Sequence, residues 1–144
     1  MSAQDNNSDA FLMLGVIYCS GDGVEIDFNK GKEYYELSAS QNNSEALFLL
    51  GMMYLTGIPI NKDFTRAKSY FELSAQLNNV RALNILGLLY ENGNDVEQDF
   101  VKTRKYYELS SQLNDSKSSF YLSNFYSFGN IFEVNISKAI HFYF

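Results

Sequence analysis

One cysteine, one proline, one histidine and no tryptophan occur in the 144 residues of this chain. A single thiol cannot close an internal disulfide, so nothing in the cysteine usage calls for an oxidising compartment, and a cytoplasmic location is the expectation. A lone proline leaves the backbone free to run in long uninterrupted helices. Basic residues are outnumbered as well: 11 Lys and Arg against 17 Asp and Glu leave a formal charge of −6. No run of four basic residues reverses that locally. Such a chain repels a phosphate backbone, which argues against nucleic acid as a general partner. The longest apolar runs, such as ALFLLGMMYL, are too short to span a bilayer, which argues against direct membrane insertion. The opening MSAQDNNSDA has neither a basic flank nor an apolar stretch and is not a signal peptide as it stands.

What the chain does contain is aromatic and periodic. It carries 11 Tyr and 12 Phe, and 46% of its residues are hydrophobic, enough to fold. Displaced by 36 residues the sequence matches itself, with copies beginning at Ser2, Ser38, Ser74 and Ser110 and no insertion between them. A constant period between about 20 and 50 residues marks stacked supersecondary units. We read residues 1–144 as a single repeat domain of four units, 1–36, 37–72, 73–108 and 109–144, the last divergent.

Each unit reads helix, turn, helix. In the second copy, Ala46, Leu50 and Tyr54 lie four apart with Leu47 and Met53 beside them, one face of a helix. Residues 64–76 repeat Phe64, Ala67, Tyr70, Phe71 and Ser74 at three- and four-residue steps, with Arg66, Lys68 and Glu72 on the other side. Asp27, Asp63, Asp99 and Asn135 precede each second helix as N-cap candidates. Asn42, Asn78 and Asn114 fall where that helix should stop, in the left-handed conformation asparagine tolerates. Asn43 or Ser44, and their equivalents, then cap the following helix. Gly15, Gly51 and Gly87 sit inside helices, each at a propensity cost of about 1 kcal/mol. Close approach of the two helices of a unit explains them, with Tyr and Phe filling the wider gaps.

The pattern A-x3-LG-x2-Y-x2-G, then an apolar residue, then D-F-x-(K/R)-A-x2-YY/F-x3-A, resembles the Sel-one-like repeats, helical relatives of the tetratricopeptide repeat. The second copy carries it as Ala46, Leu50, Gly51, Tyr54, Gly57, Ile60, Asp63, Phe64, Ala67, Tyr70, Phe71 and Ala75. The third matches with Ala82, Leu86, Gly87, Tyr90, Gly93, Val96, Asp99, Phe100, Tyr106 and Tyr107. The fourth departs, with Leu122-Ser123 in place of LG and Ser118 in place of Ala. The resemblance implies an all-α, right-handed α/α solenoid of helix-turn-helix repeats, a tetratricopeptide-like superhelix. It also implies a protein-binding scaffold or adaptor, with a regulatory or spacer segment of a larger enzyme, or a hydrolase, as the alternatives. The family's disulfide-rich branch is disfavoured, because the copies here lack its cysteines.

The residues that suggest chemistry have simpler readings. Gly21-Asp22-Gly23 lacks the spacing of a phosphate loop, and SGDGVEIDFNKG lacks the ligands of an EF-hand; only the first glycine recurs, as Gly57, Gly93 and Gly129. Cys19 aligns with Leu55, Glu91 and Ser127, and the only histidine, His141, lies far away at a basic position of the repeat. No catalytic residue, cofactor or metal is expected. Lys30, Arg66, Lys102 and Lys138 recur near the start of the second helix and read as a solvated face or a recognition stripe. Lys32/Glu36, Lys68/Glu72 and Arg104/Glu108 are i,i+4 pairs.

One layer of the first helices varies from copy to copy. It comprises Leu12, Val16 and Cys19; Phe48, Met52 and Leu55; Asn84, Leu88 and Glu91; and Phe120, Asn124 and Ser127. Leu12, Val16, Phe48, Met52, Leu55, Asn84, Leu88, Phe120 and Asn124 are the candidate partner surface, facing a protein or peptide on the concave side. The alternative is that the layer packs between neighbouring units. Met1 to Asn6 align with the tail of a second helix, and the chain ends in IHFYF rather than a polar cap. The reading is a piece of a longer array whose end faces support end-to-end self-association.

Overall fold

The structure is a computed structural model and describes residues 3–93, 95–113 and 115–128. Seven helices lie among them: α1 (Ala3–Ser20), α2 (Phe28–Ser40), α3 (Ser44–Thr56), α4 (Phe64–Gln76), α5 (Val80–Asn92), α6 (Phe100–Gln112) and α7 (Ser116–Phe128). No strand occurs among the described residues. The chain forms two compact units, Met1–Asn79 and Val80–Phe144. In the first, α1 pairs with α2 and α3 with α4, and α2 and α3 join the two hairpins. In the second, α5 pairs with α6, and α7 packs on α6. The all-α repeat of stacked helix-turn-helix elements is therefore the observed architecture. The expected sites at Asn114, Gly129, Asn135, Lys138 and His141 lie outside the described residues.

The helix ends follow from side-chain chemistry repeated every 36 residues. Lys30, Arg66 and Lys102 each donate their backbone N–H to an oxygen of Asp27, Asp63 and Asp99 respectively, at 3.0, 3.0 and 3.1 Å. These aspartates also close the hairpin turn. Their own N–H groups donate to the carbonyls of Tyr18, Tyr54 and Tyr90 at 2.9, 3.0 and 3.0 Å. One residue thus satisfies a first-turn donor and ties the two helices together. At the other end, Asn42 and Asn78 adopt φ of 60° and 61°. The Asn43 and Asn42 N–H groups donate to Ser38 and Ala39, and those of Asn79 and Asn78 to Ser74 and Ala75. That pairing is a Schellman motif with asparagine in the place glycine usually takes. Asn43 then caps α3 through Ala46, and Asp115 caps α7 through Ser118.

Inside each hairpin an aromatic ring of the second helix rests on a helical glycine of the first. A methyl group added to Gly15, Gly51 or Gly87 would lie 2.5, 2.6 and 2.3 Å from the rings of Tyr35, Phe71 and Tyr107. All three rings are buried. Beside them, Ala46, Ala67, Ala82, Thr103 and Ser118 are fully buried, so the small residues do mark the helix crossings. A second recurring contact is polar. The buried Ser38 and Ser74 hydroxyls donate to the Ser8 and Ser44 carbonyls at 2.8 and 2.7 Å, and Ser110 reaches the Val80 carbonyl at 3.4 Å. Each buried hydroxyl is satisfied by a carbonyl across the hairpin while occupying a position that periodicity assigns to the core.

Gly51→Ala tests the ring contact. Helix propensity alone favours the substitution by about 1 kcal/mol. The Phe71 ring that the methyl would meet is fully buried, and overpacking costs about 1–3 kcal/mol. We expect a net loss of stability, read as a lower denaturant midpoint with unchanged helical signal. A midpoint raised by the substitution would show that the ring yields.

Candidate partner surface

The variable layer of the first helices divides by depth. In the unit Met1–Asn79, Phe48 is only 5% exposed and its ring lies 5.7 Å from that of Phe71. It belongs to the packing of α3 on α4, which removes it from any accessible surface. Leu12 is half-buried against the cluster of Tyr35, Leu50 and Met53. Val16 remains 45% exposed, and Met52 and Leu55 are partly exposed. In the unit Val80–Phe144, Leu88 is partly buried against Tyr107, Leu122, Phe125 and Tyr126. Phe120 is 54% exposed, with an edge contact to Tyr121 at 6.1 Å, and Asn124 is half-buried.

Asn84 is occupied in packing between repeats. Its amide donates to Asp115 Oδ2 at 3.0 Å, and its carbonyl oxygen lies 2.9 Å from the Ser118 hydroxyl. Ser118 also reaches Asp115 Oδ2 at 2.5 Å and the Ser110 hydroxyl. Burial pushes the Asp115 carboxyl up, but hydrogen bonds from the Ser118 hydroxyl, the Asn84 amide and the Ser118 N–H together outweigh it and hold the group below its ordinary value. A half-polar network thus replaces the apolar contact that Phe48 makes one repeat earlier.

The third position of the layer answers to the ring of its own hairpin. Glu91 accepts from the Tyr107 hydroxyl at 2.6 Å. Cys19, at the matching place, is hydrogen-bonded with Tyr35. Where the ring is Phe71 and has no hydroxyl, the residue is Leu55. Burial pushes the Tyr107 hydroxyl far up, and the Glu91 carboxylate adds to that by holding the proton. Tyr35 is raised for the same first reason, with Cys19 beside it. Burial also raises the Cys19 thiol, against a smaller opposing effect of the Tyr35 hydrogen bond. A catalytic cysteine needs the opposite shift.

The recurrent basic residues stand over tyrosines. Lys30, Arg66 and Lys102 lie 4.9, 5.5 and 4.8 Å from the ring centroids of Tyr18, Tyr54 and Tyr90. Those rings stack on Tyr34, Tyr70 and Tyr106 at 5.6, 5.7 and 6.0 Å. Each described hairpin therefore carries a cation above a tyrosine pair, worth about 0.5–1 kcal/mol at an exposed edge. The three cations are exposed, as the solvated-stripe reading expects, and each also covers a tyrosine of its own hairpin, a contact that sequence reasoning missed. The i,i+4 pairs form, Lys32 to Glu36 at 2.5 Å, Lys68 to Glu72 at 3.6 Å and Arg104 to Glu108 at 3.8 Å. Gly21 ends α1 at φ 76°, and Gly23 shares that conformation, so both glycines of the first turn serve backbone geometry. Among the described residues no group of three or more His, Cys, Asp and Glu side chains could hold a metal ion. Among them, too, no helix is long and apolar enough to cross a membrane.

A family model described as Sel1 repeat matches residues 8–43, 44–79, 80–115 and 116–144. Its frame keeps the 36-residue period, starts the first repeat within α1 and starts the other three at the first residues of α3, α5 and α7. A Sel1 repeat protein from Oxalobacter formigenes superimposes with a TM-score of 0.89 at 28% identity, over 96% of this chain and 56% of that one. A protective antigen present in uropathogenic Escherichia coli strains, displaying an SLR fold, gives 0.88 at 25% identity over 94% of this chain and 29% of that one. An immunity protein from Pseudomonas aeruginosa shares the fold with a TM-score of 0.65 at 24% identity, over 94% of this chain and 50% of that one. The chain thus spans 56% and 29% of the lengths of the first two. No curated protein matches it closely enough to count as a relative.

Two outcomes follow from these contacts. Cys19 should react with a disulfide reagent at pH 7.5 more slowly than in the unfolded chain, because burial disfavours its thiolate. A folded-state rate equal to the unfolded one would contradict the burial. Asp115 has a folded value below its unfolded one, so its contribution to stability is full above the unfolded value, about 3.9, and is lost as pH falls through the folded value. The stability difference between the parent chain and Asp115→Asn should therefore shrink as pH is lowered below about 4. A difference constant with pH would show that the carboxylate form makes no special contacts.

Proposed function

The chain belongs to the Sel1 repeat family, and on that premise we propose that it is a non-enzymatic scaffold that binds a protein or peptide on the exposed part of its first helices. Sel1 and tetratricopeptide-like repeat proteins generally act as protein–protein interaction scaffolds. The observation that supports the reading here is the exposure of Val16 and the partial exposure of Met52, 36 residues apart and at one register of α1 and α3. Large apolar side chains held open by a rigid helical frame are the usual anchors of a helix or an extended peptide. Leu55 extends this patch in the same unit, while Leu88 and Phe120 are its counterparts in the other. Leu12, Phe48 and Asn84 support the frame from beneath, by packing and hydrogen bonding.

The test compares retention of a captured partner by the parent chain, Val16→Asp, Met52→Asp and Leu37→Asp. Leu37 is exposed on α2 and serves as the control position. Loss of at least tenfold in affinity for the first two variants, with Leu37→Asp unchanged, is the expected result. A partner held equally by all four, each with a parental helical melt, would sink the proposal.

A further inference from the structure

At two places in the chain an aspartate or asparagine directly precedes a glycine, Asp22-Gly23 and Asn92-Gly93. In such a pair the glycine backbone nitrogen can attack Cγ of the preceding side chain and close a five-membered succinimide. Glycine permits the attack because it has no Cβ to shield that nitrogen or narrow its backbone angles. In a loose chain the asparagine pair reacts first, since a neutral amide is a better electrophile than a carboxylate anion. The fold treats the two pairs oppositely.

Asn92 is the last residue of α5, and Gly93 follows as its left-handed cap at φ 67°. The Gly93 N–H donates to the Leu89 carbonyl at 3.1 Å. A methyl added to Gly93 would stand 2.7 Å from Gln98 Cβ, and the Gln98 amide donates to the Glu91 carbonyl at 2.8 Å. The nucleophilic nitrogen is therefore bound, and the backbone around it is fixed from both sides. Asp22-Gly23 has none of these restraints. The cap of α1 is Gly21, through its N–H to the Ile17 carbonyl at 2.8 Å, and Gly23 is an added glycine where the other turns carry Pro59 and Asp95. Among the described residues neither Asp22 nor Gly23 has a hydrogen-bond or ion-pair partner. A methyl added to Gly23 would meet nothing within 4 Å, and Asp22 is exposed. The turn is anchored outside the pair, at Gly21 and at Asp27, whose N–H donates to the Tyr18 carbonyl at 2.9 Å.

From this contrast we infer that Asp22 is a modification site. In the folded chain it isomerises to isoaspartate, and the product is a substrate for a carboxyl methyltransferase that uses S-adenosylmethionine. The Gly23 nitrogen bonds to Asp22 Cγ, while the carboxyl OH and the amide proton leave together as water. Water then opens the ring. Breaking the nitrogen's bond to Cγ restores aspartate. Breaking its bond to the Asp22 backbone carbonyl carbon routes the chain through Cγ and frees an α-carboxylate. No oxidant or reductant enters. The freed carboxylate takes the methyl group from the sulfonium: a C–O bond forms, the S–C bond breaks, and S-adenosylhomocysteine leaves. The extra backbone carbon falls between the two anchors, so α1 and α2 keep their caps.

The full chain is aged at neutral pH, folded and in guanidinium chloride, alongside Asp22→Glu and Asn92→Gln. After removal of denaturant, isoaspartate is read by labelled methyl transfer from S-adenosylmethionine with a purified isoaspartyl methyltransferase. Peptide mass spectrometry gives its position. In the folded parent, methyl acceptance should grow with time and map to residue 22, with residue 92 unmodified. Asp22→Glu should lose it, since glutamate would have to close a six-membered ring, and Asn92→Gln should keep it. In denaturant the order should reverse, with residue 92 leading, because local structure no longer holds Gly93. Both substituted residues are exposed, and circular dichroism checks that each variant and the aged parent keep the parental melt. Methyl acceptance of the folded chain that never appears, maps to residue 92 or persists in Asp22→Glu would overturn the inference. Residue 22 leading in denaturant as well would overturn it too, since the fold would then not be choosing between the two pairs.

Discussion

A ring of the second helix seated on a glycine of the first sets the separation of the two helices in each described hairpin. Tyr35 on Gly15, Phe71 on Gly51 and Tyr107 on Gly87 are the same contact three times. The glycine weakens its own helix by about 1 kcal/mol, and the buried ring more than offsets that by filling the crossing without a void. Everything beside it is adjusted to this distance. Alanine, threonine and serine occupy the neighbouring crossings, and the buried serines 38, 74 and 110 reach carbonyls of the facing helix.

The same ring also accounts for part of the variation on the first helices. Cysteine and glutamate stand at the position that meets a tyrosine hydroxyl, and leucine stands there when the ring is phenylalanine. Variation between repeats can thus record an internal partner rather than an external one. Phe48 and Asn84 carry the same lesson at a neighbouring position, one by stacking on Phe71 and the other by bonding to Asp115. On the proposed scaffold reading, a partner would use the subset that neither a ring nor a neighbouring repeat consumes, with Val16 and Met52 foremost in the first unit.

Legibility in the sequence follows the range of the interaction. Caps at Asp27, Asp63 and Asp99 and the left-handed Asn42 and Asn78 were readable, because each depends on three or four consecutive residues. Helix bounds were readable too, since periodicity and caps agree on 64–76 for α4. The cation–tyrosine stacks were hidden in plain spacing. Lys30 and Tyr18 are 12 apart across a turn, and only the fold brings the cation over the ring.

By itself the sequence determined the period, the helices, their caps and the glycines that allow close approach. These are local matters of backbone conformation and of one-residue steric allowance, repeated often enough to exclude coincidence. Only the tertiary structure decided which members of the variable layer stay at the surface. Burial is a property of what comes to lie opposite, and two side chains at one helical register share a period without sharing a neighbour. Phe48 and Phe120 show the difference, equivalent in the repeat yet 5% and 54% exposed: the Phe71 ring lies 5.7 Å from the first, whereas the residue in register with Phe71 for the second, Tyr143, lies outside the described residues.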